Sequence, residues 1–135
     1  MAGYSGTPLV QKLGLKPGLA AAVLHPPPGY RGVLGRVPPG LELRRAARGP
    51  LDFIQFFTQR RRELATRLPA LKRALAPAGA LWISWPKQAS GVATDLTEDV
   101  IRAVALAHGL VDVKVCAVDD TWSGLKLVRR LRDRR

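Results

Sequence analysis

Lys87, Ser90, Gly91 and Thr94 fall within one short run that joins an apolar segment to a helix-forming one. A cation, two hydroxyls and a flexible residue at the amino end of a helix suit an anion, because free N–H groups and the helix dipole both favour negative charge there. The run lacks the glycine spacing of a phosphate-binding loop, so it specifies no nucleotide. Asp95, Glu98 and Asp99 compete for the same helix end, and an ordinary capped helix beside a solvated lysine is the plain alternative. Asp119 and Trp122 follow another apolar run, and His25 follows a third. Ligands of open parallel sheets bind outside the carboxyl ends of the strands. These seven residues therefore form the candidate ligand-binding set, with Lys87 as the point charge and Trp122 as an apolar wall.

Catalytic patterns are weaker. Ser84 or Ser90 can be drawn with His25 and Asp119 as a nucleophilic triad, but no Gly-x-Ser-x-Gly elbow presents the serine. His25 and His108 are the only histidines, and His108 ends a helix, so a two-histidine metal site is not expected. Cys116 is the single cysteine and lies in the apolar run 113–118, which suits a buried inert thiol and excludes an intramolecular disulfide. No catalytic residue, metal or cofactor is assigned on these grounds.

Charge is the compositional outlier. The chain carries 22 Lys and Arg against 10 Asp and Glu, a formal net charge of +12. Such a field draws nucleic acid, anionic lipid or phosphorylated ligands, although an arginine-rich composition explains it equally well. Arg129, Arg130, Arg132, Arg134 and Arg135 crowd the carboxyl terminus and are the candidate nucleic-acid contacts, in a basic tail over 129–135 that follows a single domain over 1–128. No apolar run approaches membrane-spanning length, and residues 1–8 show no basic segment leading into an apolar one, so a cytoplasmic protein without a membrane partner is expected.

The elements that must position these residues alternate. Leu9, Val10 and Leu13 share a face of a short helix, and residues 19–24 read as a buried strand stopped by Pro26, Pro27 and Pro28. A short helix over 30–37 and a weak strand over 41–45 follow. Residues 52–57 are a strand by their aromatic and β-branched content. Thr58 is placed to cap a helix to about Leu75, in which Leu64, Leu68, Leu71 and Leu75 recur at helical spacing and Pro69 predicts a bend. Pro77 to Gly79 ends it, and residues 80–85 form the next strand, with Trp82 and Trp85 on opposite faces. Asp95 and Glu98 have capping-box spacing before a helix that ends at Gly109. Strands over 110–118 and 125–130 close the chain. The result is an α/β protein: a small, mostly parallel sheet with helices on its faces and a C-terminal antiparallel hairpin strand.

This order resembles the Rossmann-like methyltransferase family. Residues 9–24 are similar to its lead-in helix and first strand, Leu51-Asp52-Phe53-Ile54 to its acid-started central strand, and residues 75–81 to its proline–glycine turn. The resemblance implies a glycine-rich loop after the first strand and an acid after the second, to hold adenosylmethionine. Here His25-Pro26-Pro27-Pro28-Gly29 and Arg44-Arg45 stand there instead, and 45–52 is too short for the helix and strand of the full fold. Tight binding of adenosylmethionine is therefore not expected. The chain also resembles a small bacterial family of unknown function, through Leu81 to Lys87, Thr94 to Glu98, Val111 to Asp119 and Trp122 to Lys126.

With the glycines missing, the sequence favours a non-catalytic Rossmann-like module that takes a small anionic ligand or a protein partner at the carboxyl edge. Nucleic-acid binding through the arginine-rich surface and tail is the second reading, and a divergent methyltransferase-like transferase the third.

Overall fold

The computed structural model describes residues 7–134. Its elements run α1 (Leu9–Leu13), β1 (Ala20–Leu24), α2 (Tyr30–Leu34), β2 (Glu42–Arg44), β3 (Leu51–Phe57), α3 (Arg61–Ala74), β4 (Leu75–Pro86), α4 (Glu98–Ala107), β5 (Leu110–Ala117) and β6 (Trp122–Arg129). The six strands form one sheet in the order β2-β1-β3-β4-β6-β5. β1 to β4 are parallel, and β6 runs antiparallel to both neighbours. This is the mostly parallel α/β sheet that the alternation predicts. The closing hairpin folds inward, so the last strand lies between β4 and β5 and the edge is left to β5. Among the described residues no helix is long and apolar enough to cross a membrane.

Strand alternation sorts the core into two layers. Ile54, Phe56, Leu81, Ile83 and Trp85 face α3 and α4, which contribute Leu64, Leu68, Leu71, Ile101 and Val104. Phe53, Phe57, Trp82 and Trp122 face α1 and α2, which contribute Leu13, Tyr30 and Leu34. Leu64, Leu68 and Leu71 are fully buried, each contributing about 1.5–3 kcal/mol. That burial carries α3 across Pro69, whose missing N–H and ring clash would otherwise favour a break. Trp82 and Trp85 point to opposite layers as expected, and both are core; Trp82 Nε1 donates to the Leu13 carbonyl at 3.2 Å.

Three local expectations are corrected. Asp95 does not cap α4: Thr97 does, its hydroxyl accepting from Val100 N–H at 3.2 Å, while Asp95 Oδ1 accepts from Arg61 N–H at the start of α3 at 2.7 Å. Thr58 lies before the N-cap of α3, which is Arg60. Finally, Pro77-Ala78-Gly79 does not precede β4 but bulges within it, since Leu75 already pairs with Leu51 and Ala80 with Phe53. A side chain on Gly79 would lie 2.8 Å from the Leu51 carbonyl oxygen, so only glycine allows this close return to β3.

Candidate active site

The carboxyl ends of β1, β2, β3, β4 and β5 lie on one edge, and the loops that leave them build two clefts. Residues 25–29 connect β1 to α2 and stand between the clefts. One recess, of about 310 Å³, has Val23, Leu34 and Leu43 in its wall and Arg31, Arg44 and Arg45 at its rim. The other, of about 420 Å³, is lined by His25, Phe57, Thr58, Arg60, Glu63 and Trp122. Pro27 lines both.

The loop is held from beneath. Tyr30 is buried, and its hydroxyl donates to Gln55 Oε1 at 2.5 Å; Gln55 Nε2 donates to Ser84 Oγ at 3.0 Å. Gln55 and Ser84 are fully buried on neighbouring strands, so this chain ties α2 to the middle of the sheet. Burial pushes the Tyr30 phenol well above its ordinary range, with the hydrogen bond to Gln55 opposing. Phe57 meets Tyr30 edge-on at 4.8 Å and Trp122 edge-on at 5.2 Å, which makes a continuous aromatic floor.

In the second cleft, Thr58 donates its hydroxyl to Glu63 Oε1 at 2.5 Å. That bond orients the carboxylate across the first turn of α3. His25 lies exposed at the mouth with φ 55, a left-handed conformation uncommon outside glycine though less so for Asn, Asp and His, and its ring is 5.4 Å from Phe56. Strained backbone of this kind clusters at functional sites.

Of the seven candidate ligand residues, the structure brings His25 and Trp122 into one cleft. The Lys87 N–H donates to the Thr121 carbonyl at 2.8 Å, so Lys87 and Trp122 share the edge, but Lys87 lines neither cleft. Ser90 Oγ donates to the Lys87 carbonyl at 2.6 Å and accepts from Val92 N–H at 3.2 Å. Thr94 donates to the Gln59 carbonyl at 2.6 Å and accepts from Leu96 N–H at 3.1 Å. Gly91 and Thr94 line a separate depression beside Leu96 and Thr97. Asp119 Oδ1 accepts from Thr121 and Trp122 N–H at 2.8 and 2.7 Å, a turn-closing role. The helix end expected to greet an anion has moved past this loop and carries Glu98 and Asp99 in its first turn.

The tail also departs from expectation. Arg129 ends β6, and its guanidinium donates to the Leu75, Ala76 and Lys72 carbonyls at 2.9, 2.8 and 2.6 Å, so it is engaged within the fold. Arg134 Nε donates back to the Arg129 carbonyl at 2.9 Å. Arg132 approaches Asp133 at 4.0 Å, Arg130 precedes a single 3-10 turn, and Arg135 lies outside the described residues. Cys116 is half-buried and burial raises its thiol, which suits the inert role. His108 is the C-cap of α4, with Nδ1 2.9 Å from the Val104 carbonyl oxygen.

Phe57, Thr58, Glu63 and the pair Arg44 and Arg45 were not in the sequence-derived set. The available signal was positional: Phe57, Thr58, Arg44 and Arg45 lie at or just past the carboxyl end of a parallel strand, and Glu63 lies in the first turn of the helix that follows β3.

Solved structures share this fold. A SAM dependent methyltransferase from Aquifex aeolicus matches with a TM-score of 0.61 over 88% of this chain and 86% of its own, at 14% identity. The magnesium protoporphyrin IX methyltransferase from Synechocystis PCC 6803 with bound SAH matches with a TM-score of 0.60 over 90% of this chain and 78% of its own, at 16% identity. The B. subtilis tRNA methyltransferase TrmK matches with a TM-score of 0.52 over 95% and 67%, at 12% identity. No family model matches the sequence, and no curated protein does.

These likenesses correct the reading of a non-catalytic module. That reading took the missing glycine loop as missing chemistry, whereas the fold is one on which methyltransferases are built, and the proline loop still leaves a cleft on each side.

Proposed function

We propose that this chain is a divergent transferase of the methyltransferase-like kind, working at the paired clefts of the carboxyl edge. The observation that carries the reading is the shared wall at Pro27, which sets an apolar, arginine-rimmed recess beside an aromatic, carboxylate-bearing one. Neighbours of the same fold hold SAM or SAH. The likeness to a small bacterial family of unknown function belongs to the same reading and adds no activity to it.

The donor set fits an adenosylmethionine-like group in chemistry, though not in the backbone manner. Val23, Leu34 and Leu43 suit a planar base. The Arg44 and Arg45 guanidiniums suit a carboxylate. The faces of Phe57 and Trp122, together with Glu63, suit a cationic sulfur. When bound, such a group supplies an electrophilic methyl carbon. His25 takes the proton that the acceptor atom sheds, and Thr58 holds Glu63 in place. Pro26, Pro27 and Pro28 carry no N–H, and a hydrogen bond to a charged group contributes about 1.5–3 kcal/mol. Side chains must therefore hold the ligand, and the affinity is weak.

Calorimetry with adenosylmethionine and adenosylhomocysteine tests this. The expected result is saturable binding with Kd between about 10 μM and 1 mM, weaker than a 1 nM complex by about 5.5–8 kcal/mol. The double variant Arg44→Gln, Arg45→Gln should abolish it. A wild-type chain that shows no heat at millimolar ligand overturns the proposal.

A further inference from the structure

We infer that the acceptor is a nucleic-acid strand whose phosphates lie on Arg60, Arg61 and Arg62 beside the second cleft, with Arg31 receiving it beyond the loop. This takes the transferase reading above as its premise and names the substrate class for the same site.

Three consecutive arginines occupy the N-cap and first two helical positions of α3. The amino end of a helix carries positive partial charge and favours acids there, so this placement works against the helix. All three side chains are exposed. The acid of that turn, Glu63, accepts from Thr58, and Asp95 meets only the Arg61 backbone N–H. The ion pairs among the described residues engage Arg102 and Arg132, both elsewhere. The first cleft repeats the pattern, with Arg31, Arg44 and Arg45 and no carboxylate in its lining. Like charges thus gather on both sides of the site; Glu63 is the one carboxylate in either lining, and among the described residues no ion pair engages these arginines. Guanidinium forks match phosphodiester oxygens in two-point contacts, and a polyanion releases counterions when it binds them.

The tail is the competing surface, and its geometry weakens it. Arg129 is occupied by three carbonyls and Arg134 by a fourth. At the carboxyl edge no ion pair among the described residues engages a guanidinium, and Arg60 lies in the lining that holds His25 and Trp122. A strand running over Arg60 to Arg62 therefore delivers one nucleotide to the cleft where His25 stands.

Fluorescence anisotropy with a labelled RNA hairpin, a single-stranded DNA of the same sequence and a duplex DNA, between about 50 and 200 mM salt, tests the assignment. The triple variant Arg60→Gln, Arg61→Gln, Arg62→Gln should bind the preferred strand at least about 10-fold more weakly, with a salt slope reduced by two to three units. The triple lysine variant should keep most of the slope, which separates charge from fold. Deleting residues 130–135 should change affinity by less than about two-fold. Whichever strand binds best names the source of the phosphates. The inference is overturned if the deletion flattens the slope while the glutamine variant binds like wild type, if polyglutamate competes as well as the strand, or if no strand binds at the lowest salt. Cofactor calorimetry on the glutamine variant keeps the two proposals apart: strand binding lost with cofactor heat intact supports this inference, and a wild type that binds the strand without cofactor heat overturns the transferase reading instead.

Discussion

The Tyr30 hydroxyl reaches Gln55 Oε1 at 2.5 Å across the layer between α2 and β3, and Gln55 passes the contact to Ser84 Oγ at 3.0 Å. A glutamine in the middle of a central strand would be a fault in an apolar core if either end lacked a partner. Here both ends are satisfied, and among the described residues no buried side-chain nitrogen or oxygen lacks one. The chain fixes where α2 begins, and with it the loop that separates the two clefts.

Removing one end of the chain should cost more than removing a surface contact. Tyr30→Phe leaves Gln55 Oε1 buried without a donor and should destabilise by about 1–3 kcal/mol. Gln55→Leu leaves both hydroxyls unpaired and should cost at least as much. Urea denaturation measures both. The phenol adds a pH signature. Burial, the largest cause, raises it above the ordinary phenol value of 10.0, so below that value folded and unfolded chains are both protonated and no slope arises from it. Above about pH 10 the unfolded chain releases a proton that the folded chain keeps, so stability falls as pH rises through the folded value. Tyr30→Phe should remove that part of the alkaline slope.

Arg129 makes a second structural prediction. Its guanidinium joins the carbonyl end of α3 to the first residues of β4 from the last residue of β6. Arg129→Ala should destabilise by about 1–3 kcal/mol, because charge-assisted bonds are lost and three carbonyls must find water. Arg129→Lys should recover only part, since one ammonium cannot span the fork. Arg132→Ala, which loses only an exposed pair at 4.0 Å, should be near neutral. Equal midpoints for Arg129→Ala and Arg132→Ala in urea would refute the distinction.

The sheet was legible because its strands are written in apolar runs closed by Pro and Gly, and the two layers follow from alternation along residues 53–57 and 81–85. The site was legible only in part. His25 and Trp122 come together because each follows a parallel strand or opens the one beside it. Lys87, Ser90 and Thr94 lie near the helix start that the Asp95–Glu98 spacing predicts, and the actual start is two residues later because Thr97 takes the cap. Asp95 then became free to cap α3, a pairing across 34 positions that no local pattern contains. The same holds for Arg129: nothing within the run Arg129 to Arg135 tells a guanidinium bound to three carbonyls from one in solvent. Long-range partners decide which cations remain available, and composition cannot.

His25 offers the sharpest test of the site. Its φ of 55 places an L residue where the side chain crowds the following carbonyl, at a cost of roughly 1–2 kcal/mol that glycine does not incur. His25→Gly relieves this strain but loosens the unfolded chain and forfeits the ring contact with Phe56 at 5.4 Å, so its stability should stay within about 1 kcal/mol of wild type. His25→Val should be less stable, because a β-branched residue tolerates that backbone worst. Asn adopts the left-handed region readily, so His25→Asn keeps the loop and removes only the imidazole. If His25 accepts the proton from the acceptor atom, His25→Asn should bind adenosylmethionine as wild type does and lose about 100-fold or more in single-turnover transfer to the preferred strand. Transfer at the wild-type rate would remove His25 from the chemistry and leave it a loop residue. Equal losses of cofactor binding and of transfer would make it a wall of the cleft rather than a base.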